Sequence, residues 1–297
     1  MKEIIIGSED FCQFASIQAG IDYLAELPEP VEKKLTILAG TYYETITSYL
    51  SNVIICGLGD VKIIGHYGAR EILPDGSERG TFRTATFFIE GENILLENLS
   101  IENQAGPGEL VGQAIALFNC GHQTTVRNCR LVGYQDTLCT GPLPDYQKDG
   151  TPFLSPIKKL KDYCFQKYEH CFISGTIDFI FGGAQAIFES CQLHSLDKDG
   201  AGFITAASTS KTQAEGYLFE NCYLSAESQA KKVFLGRPWR PYAKTTFKHS
   251  YFGSHIAAEG WDNWGNPKNE QSVRYHEIDN YGAQGKRPSW IRRNEEK

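Results

Sequence analysis

Two aspartates, one arginine and two glutamines stand among apolar residues at well-separated points of this 297-residue chain. Asp178 sits inside GTIDFIFG (175–182), an apolar run bounded by glycines, Asp136 inside GYQDTL (133–138), and Arg237 inside LGRPW (235–239). An ionised carboxylate in apolar surroundings is costly unless it is paired or put to use. Two carboxylates brought side by side cannot both ionise cheaply, so one pKa rises. An arginine beside the other keeps that one anionic. The pair then divides into a protonated acid and an ionised nucleophile or base. Gln113, opening the apolar GQAIALFNC, and Gln135, preceding Asp136, carry neutral amides that donate to an oxyanion without adding charge. Together these residue types suggest a hydrolytic site. Bland readings stand beside it: a solvated Asp in a turn, a satisfied core amide, a surface arginine. Trp239 and Phe181 suit either a core or a platform for a sugar ring.

This chemistry needs elements that bring distant residues together, and a repeat supplies them. Six segments, at 94–103, 124–133, 167–175, 186–195, 217–226 and 245–254, share one pattern. An inward position (Leu96, Val126, Tyr168, Phe188, Phe219, Phe247) precedes by two a polar one (Asn98, Asn128, His170, Ser190, Asn221, His249). Next comes Leu99, Cys129, Cys171, Cys191, Cys222 or Ser250, then another apolar residue two further on. Strand-like repeats roughly 20 to 40 residues apart, without crossover helices, predict a parallel β-helix. Its coils stack about 4.8 Å apart. The aligned cysteines read as small buried apolar groups. Asp136 and Asp178 lie about 40 residues apart, roughly half of it a proline- and lysine-rich break in the repeat, Cys139 to about Cys164. Without that loop they fall one coil apart, with Arg237 two coils further. Apolar spacing predicts an amphipathic helix near 11–27. The tail from Ile256 to Lys297 reads as packing along the outside and closing the C-terminal end.

Composition narrows the functional classes. A net charge of -7 and a pI near 5.6 exclude a broad basic face for nucleic acid. No apolar run approaches the roughly 20 residues of a membrane span. Nine cysteines cannot all pair within the chain, and without a CxxC a zinc site has little support. One domain over 1–297, a monomer, and no cofactor or metal are expected. The N-terminus lacks a signal-peptide plan, which points to the cytoplasm, or to a secreted or periplasmic protein whose leader is missing.

Five motifs in order make the chain resemble the pectin methylesterase (pectinesterase) family: GTYYE (40–44), GQAIAL (112–117), GYQDTL, GTIDFIFG and LGRPW. GWDNWGNP (260–267) resembles the family's closing region. The resemblance spans nearly the whole chain and implies an all-β, right-handed parallel β-helix. It implies Asp178 as nucleophile on the C6 ester of a methylated galacturonate, and Asp136 as general acid and then base. It implies Gln113 and Gln135 for the oxyanion and Arg237 to hold Asp178 ionised, with Trp239, Phe181 and Tyr134 lining the sugar groove. The implied substrate is pectin or methylated oligogalacturonides, and no metal is implied. Three features depart from the family pattern: the 139–164 loop is long, Cys139 stands where an aromatic is usual, and no signal peptide is seen. With the acidic pI, the absence of a signal peptide suggests an intracellular enzyme that trims imported oligogalacturonides. A β-helix glycosidase or lyase, a non-catalytic sugar binder, and an esterase for another ester are the rival readings.

Overall fold

The computed structural model describes residues 1–28 and 31–294. Within them, eighteen strands join one continuous parallel sheet and seven a second. Each central coil gives two strands to the first sheet and one to the second, as expected of a parallel β-helix. The polar position of the repeat is where the chain bends between the first two strands. Asn98, Asn128, His170, Ser190, Asn221 and His249 all take left-handed φ values, between 50° and 56°. Short polar side chains tolerate that region best, which explains why Asn recurs there.

The inward positions stack in register. Tyr168 pairs with Phe188, Phe188 with Phe219 and Phe219 with Phe247. Their rings lie parallel at 4.6, 4.4 and 4.5 Å between centroids. Cys129, Cys171, Cys191 and Cys222 are buried and unpaired. The last three thiols donate to backbone carbonyls of the preceding coil: Val126, Tyr168 and Phe188, at 3.3, 3.4 and 3.3 Å.

The N-terminal helix is shorter than its apolar spacing suggests, Ile17–Ala25. Ser16 caps it, accepting from the Ala19 N–H at 3.2 Å. Glu44, from the GTYYE motif, accepts from the Ile17 and Gln18 N–H groups at 2.9 and 3.0 Å and from the Ser16 hydroxyl at 2.8 Å. That carboxylate fixes where the helix begins, because the first-turn N–H groups need an acceptor. Phe14, before the cap, bridges to Ile6 instead.

Two expectations require correction. The tail does not simply lie along the outside: strand Arg274–Ile278 pairs in parallel with Lys244–Lys248, and Arg292–Asn294 pairs with it in turn. The coil continues, but a buried Glu277 occupies a core position there and hides the apolar period. Arg287 and Trp261 both donate to the same Glu277 oxygen, at 2.7 and 2.8 Å. The last three residues of the tail lie outside the described residues. The loop also begins later than expected. Cys139 belongs to strand Leu138–Thr140, paired with Phe118 on one side and Phe181 on the other. A thiol fills the outward space between two phenyl rings, and the excursion proper is 141–164, without helix or strand.

The excursion folds back over the outward face of the seven-stranded sheet. Leu143, Phe153 and Ile157 pack on a second apolar cluster that includes Phe82, Phe118, Cys139 and Phe181. The Glu90 carboxylate accepts from the N–H groups of Lys158 and Lys159 at 2.9 and 2.7 Å. The Tyr49 hydroxyl donates to the Pro156 carbonyl at 2.8 Å.

Candidate active site

Successive strands of the seven-stranded sheet place the site. Leu138 is in register with Ile180, Ile180 with Thr205, and Thr205 with Gly236. Asp136 and Asp178 each stand two residues before their register partner, so they occupy equivalent places one coil apart. The Asp136 N–H donates to the Ile177 carbonyl at 3.0 Å, locking the two coils there. Both aspartates adopt left-handed backbone, φ 66° and 49°. In each the chain turns sharply into its strand, at a conformation Asp tolerates better than most residues. Arg237 follows Gly236 and so lies two coils beyond Asp178, as the repeat count implies.

Arg237 grips Asp178 with two parallel bonds, Nε to Oδ1 at 2.9 Å and Nη2 to Oδ2 at 2.7 Å. Such bidentate pairs fix orientation as well as charge. The guanidinium is itself sandwiched, its centre 3.9 Å from the Phe203 ring and 3.9 Å from the Trp264 ring. Stacking of this kind suits arginine's planar cation.

Both carboxyls are buried, and burial disfavours their charged forms. Burial pushes Asp136 well above the usual carboxylate range, and the charge of Asp178 pushes it further, opposed by Arg237. Burial also raises Asp178, but the hydrogen bonds and charge of Arg237, with a smaller contribution from Lys148, pull it back. The asymmetry therefore comes from which carboxyl holds the arginine. Asp136 is the better proton reservoir, and Asp178 the better anion.

The carboxyls open into a cavity of about 360 Å³. Gln113, Gln135, Phe181, Arg237 and Trp239 line it with them. The Ala114 N–H donates to the Gln135 carbonyl at 3.1 Å, which sets the two glutamines on adjacent coils. Gln135 lies flat against Gly108, where a Cβ would come within 2.3 Å of its Oε1. Tyr134 is half-buried and not among the lining residues; its carbonyl accepts from the Thr176 N–H at 2.8 Å.

The cavity also holds Trp264 of the GWDNWGNP motif and residues that motif reading did not reach: Phe82, Phe153, Lys148 and Arg240. Phe82 and Phe153 meet edge to face at 5.0 Å, and each also meets Trp239, at 6.3 and 6.0 Å. Lys148 and Phe153 come from the excursion, so that segment forms one wall. Its position just after Asp136 was the available signal. Nothing in the sequence around Phe82 marks it.

Comparison with known proteins adds the family. The pectinesterase family model matches residues 3–151 and 162–294, leaving out only part of the excursion and the chain ends. Pectinesterase 31 of Arabidopsis thaliana is 33% identical over 78% of this chain, which spans 64% of that protein, just under two thirds of it. Putative pectinesterase 14 of the same plant is 30% identical, with 91% and 74% covered. Among solved structures, a pectin methylesterase from Erwinia chrysanthemi superposes with a TM-score of 0.79 at 26% identity, covering 99% of this chain and 92% of its own. A pectin methylesterase in complex with a hexasaccharide gives 0.80 at 26% identity, covering 98% and 92%. The right-handed parallel β-helix is thus the fold of this chain. The cytoplasmic location expected from the N-terminus gains no support from these relatives, and no helix of the described residues is long and apolar enough to cross a membrane.

Proposed function

The chain belongs to the pectinesterase family, and on that premise we propose that its groove hydrolyses methyl esters at C6 of galacturonate residues in pectin or its methylated fragments. The observation that carries this reading is the unequal aspartate pair: one carboxyl clamped twice by Arg237, its neighbour one coil away without an arginine and pushed by burial toward its neutral form.

In this reading Asp178 attacks the ester carbonyl carbon, and the carbonyl electrons move onto oxygen. The amides of Gln113 and Gln135 donate to that oxyanion. Collapse of the tetrahedral species breaks the C–O bond to the methyl group's oxygen, and Asp136 gives it a proton, releasing methanol. The sugar carboxyl is then joined to Asp178 as an anhydride. Asp136, now ionised, takes a proton from water, whose oxygen attacks the sugar carbonyl. The free uronate leaves, and Asp178 is regenerated. Splitting one acyl transfer into two steps needs only these groups. The aromatic wall of Trp239, Phe181 and Phe82 suits the apolar face of a sugar ring. Of the two locations considered, we favour secreted or periplasmic, because a wall polymer is met outside the cytoplasm. A monomer suffices, since one chain supplies every group.

The test is methanol release from highly methylated pectin and from short methylated oligogalacturonides, comparing wild type with Asp178→Ala. Release that falls below about one-thousandth in the variant supports the reading. Loss of viscosity or new reducing ends without methanol would replace it with a glycosidase or lyase.

A further inference from the structure

The wall that the excursion gives to the groove stands on a foot, and one carboxylate holds it. Glu90 follows strand Phe87–Ile89 and is only 4% exposed. Its own N–H donates to the Ser48 carbonyl at 2.9 Å, which ties it to the preceding coil. Its two oxygens accept from the successive N–H groups of Lys158 and Lys159, Oε2 at 2.9 Å and Oε1 at 2.7 Å. Two neighbouring N–H groups aimed at one point make an anion cradle, and here a side chain of the same molecule fills it. The flanking ammonium groups are engaged elsewhere. Lys158 Nζ lies 3.5 Å from the centre of the Tyr49 ring, and Lys161 Nζ donates to the Gly91 carbonyl at 2.9 Å. Glu90 therefore fixes the backbone of 158–159 and is not one half of a surface ion pair with Lys158 or Lys161.

Five residues before this cradle stands Phe153, half-buried against Phe82 and Trp239 in the wall of the aspartate cavity. Ile157, between them, packs on the same apolar cluster. Phe153 and both cradle residues lie in 152–161, the part of the excursion outside the family match, whereas Glu90 lies inside it. We propose that Glu90 is a positioning residue for the substrate: it is not among the residues lining the cavity, and it acts by holding the excursion so that Phe153 presents its ring to the bound sugar chain. This rests on the esterase reading of the cavity. A carboxylate on the coil stack then sets how tightly the groove grips, while Asp178 and Asp136 are left as they are.

The test uses Glu90→Gln, Phe153→Ala and the double variant. Glu90→Gln keeps the size of the side chain but turns an amide NH₂ toward one of the two N–H groups, so at most one of the two bonds survives. We expect KM for highly methylated pectin to rise about fivefold in Glu90→Gln, the loss of one aromatic contact, with kcat within about twofold of wild type. Phe153→Ala should do the same, and the double variant should be no worse than either, because the two substitutions remove one interaction. A purely structural Glu90 would leave KM unchanged, and a Glu90 acting by another route would multiply with Phe153→Ala; either result overturns the inference and leaves the esterase intact. Trypsin supplies a readout without turnover. Cleavage after Lys158 or Lys159, followed by mass spectrometry well below the melting temperature, should be faster in Glu90→Gln than in wild type, and an equal rate overturns the inference. Absence of methanol release from wild type would sink the esterase reading instead. Calorimetric binding of tetragalacturonate then decides the inference: affinity about fivefold weaker in both single variants supports it, and equal affinity overturns it.

Discussion

At the scale of single residues, the two aspartates share backbone conformation, burial and register, and differ only in their partner. That difference can be tested through pH. Arg237 opposes the effect of burial at Asp178. Arg237→Met therefore raises the pKa of Asp178, and the acid limb of the kcat/KM profile should move to higher pH, alongside a lower maximum. An unmoved limb would mean that another group sets it. Asp136 carries a cost that stability measurements can read. Its folded pKa is raised, so it holds its proton longer folded than unfolded. Stability from this group is whole below the ordinary carboxylate range and drains away as pH rises from there toward the folded value. Asp136→Asn abolishes the drain. Its melting temperature should exceed wild type by more at pH 7 than at pH 4, while methanol release falls by about 10² to 10⁴. Equal gains at both pH values would argue that Asp136 does not titrate in this way. A site residue that stabilises when neutralised is the usual sign of function set against stability.

At the scale of elements, the ring ladder and the excursion behave differently. Phe219 lies fully buried between Phe188 and Phe247, at 4.4 and 4.5 Å. Phe219→Ala should cost about 3–5 kcal/mol in denaturant unfolding, because neighbours held by sheet hydrogen bonds cannot collapse into the gap. A loss below about 1 kcal/mol would show that the coils relax. The ladder was legible in the sequence because each coil repeats it at a fixed offset from a bend residue. The aspartates were legible for the same reason: counting coils puts Asp136 beside Asp178 and Arg237 two coils on. The groove wall was not. Phe153 and Lys148 sit in a stretch with no period, and their positions depend on long-range anchors such as Glu90 and Tyr49. Phe82 reaches the site from a short turn, Thr81–Arg83, that belongs to no repeat.

At the scale of the whole molecule, each coil touches chiefly its neighbours, so the ends decide how far fraying runs. The C-terminal coil is sealed by Glu277, Arg287 and Trp261, with Trp261 stacked 4.1 Å from Tyr275. The sequence conceals this coil because a charged pair replaces apolar residues at its core. Arg287→Met leaves Glu277 buried without its cation, a loss of about 3–5 kcal/mol. Hydrogen exchange should then quicken from Arg274–Ile278 inward through Lys244–Lys248, while the coil of Asp136 keeps its protection. Uniform loss across the molecule would instead mark the solenoid as a single cooperative unit. The excursion meets the opposite condition. The N–H groups of Asp136 and Leu138 donate to the carbonyls of Ile177 and Phe179, tying the coil before it to the coil after it, so these bonds set how the carboxylates face each other whatever is inserted between. Groove wall and carboxylate placement are therefore separately heritable in this architecture: residues 141–164 form a cassette that insertion, deletion or grafting can rewrite while the aspartates stay face to face, and only the smaller pull of Lys148 on Asp178 goes with it.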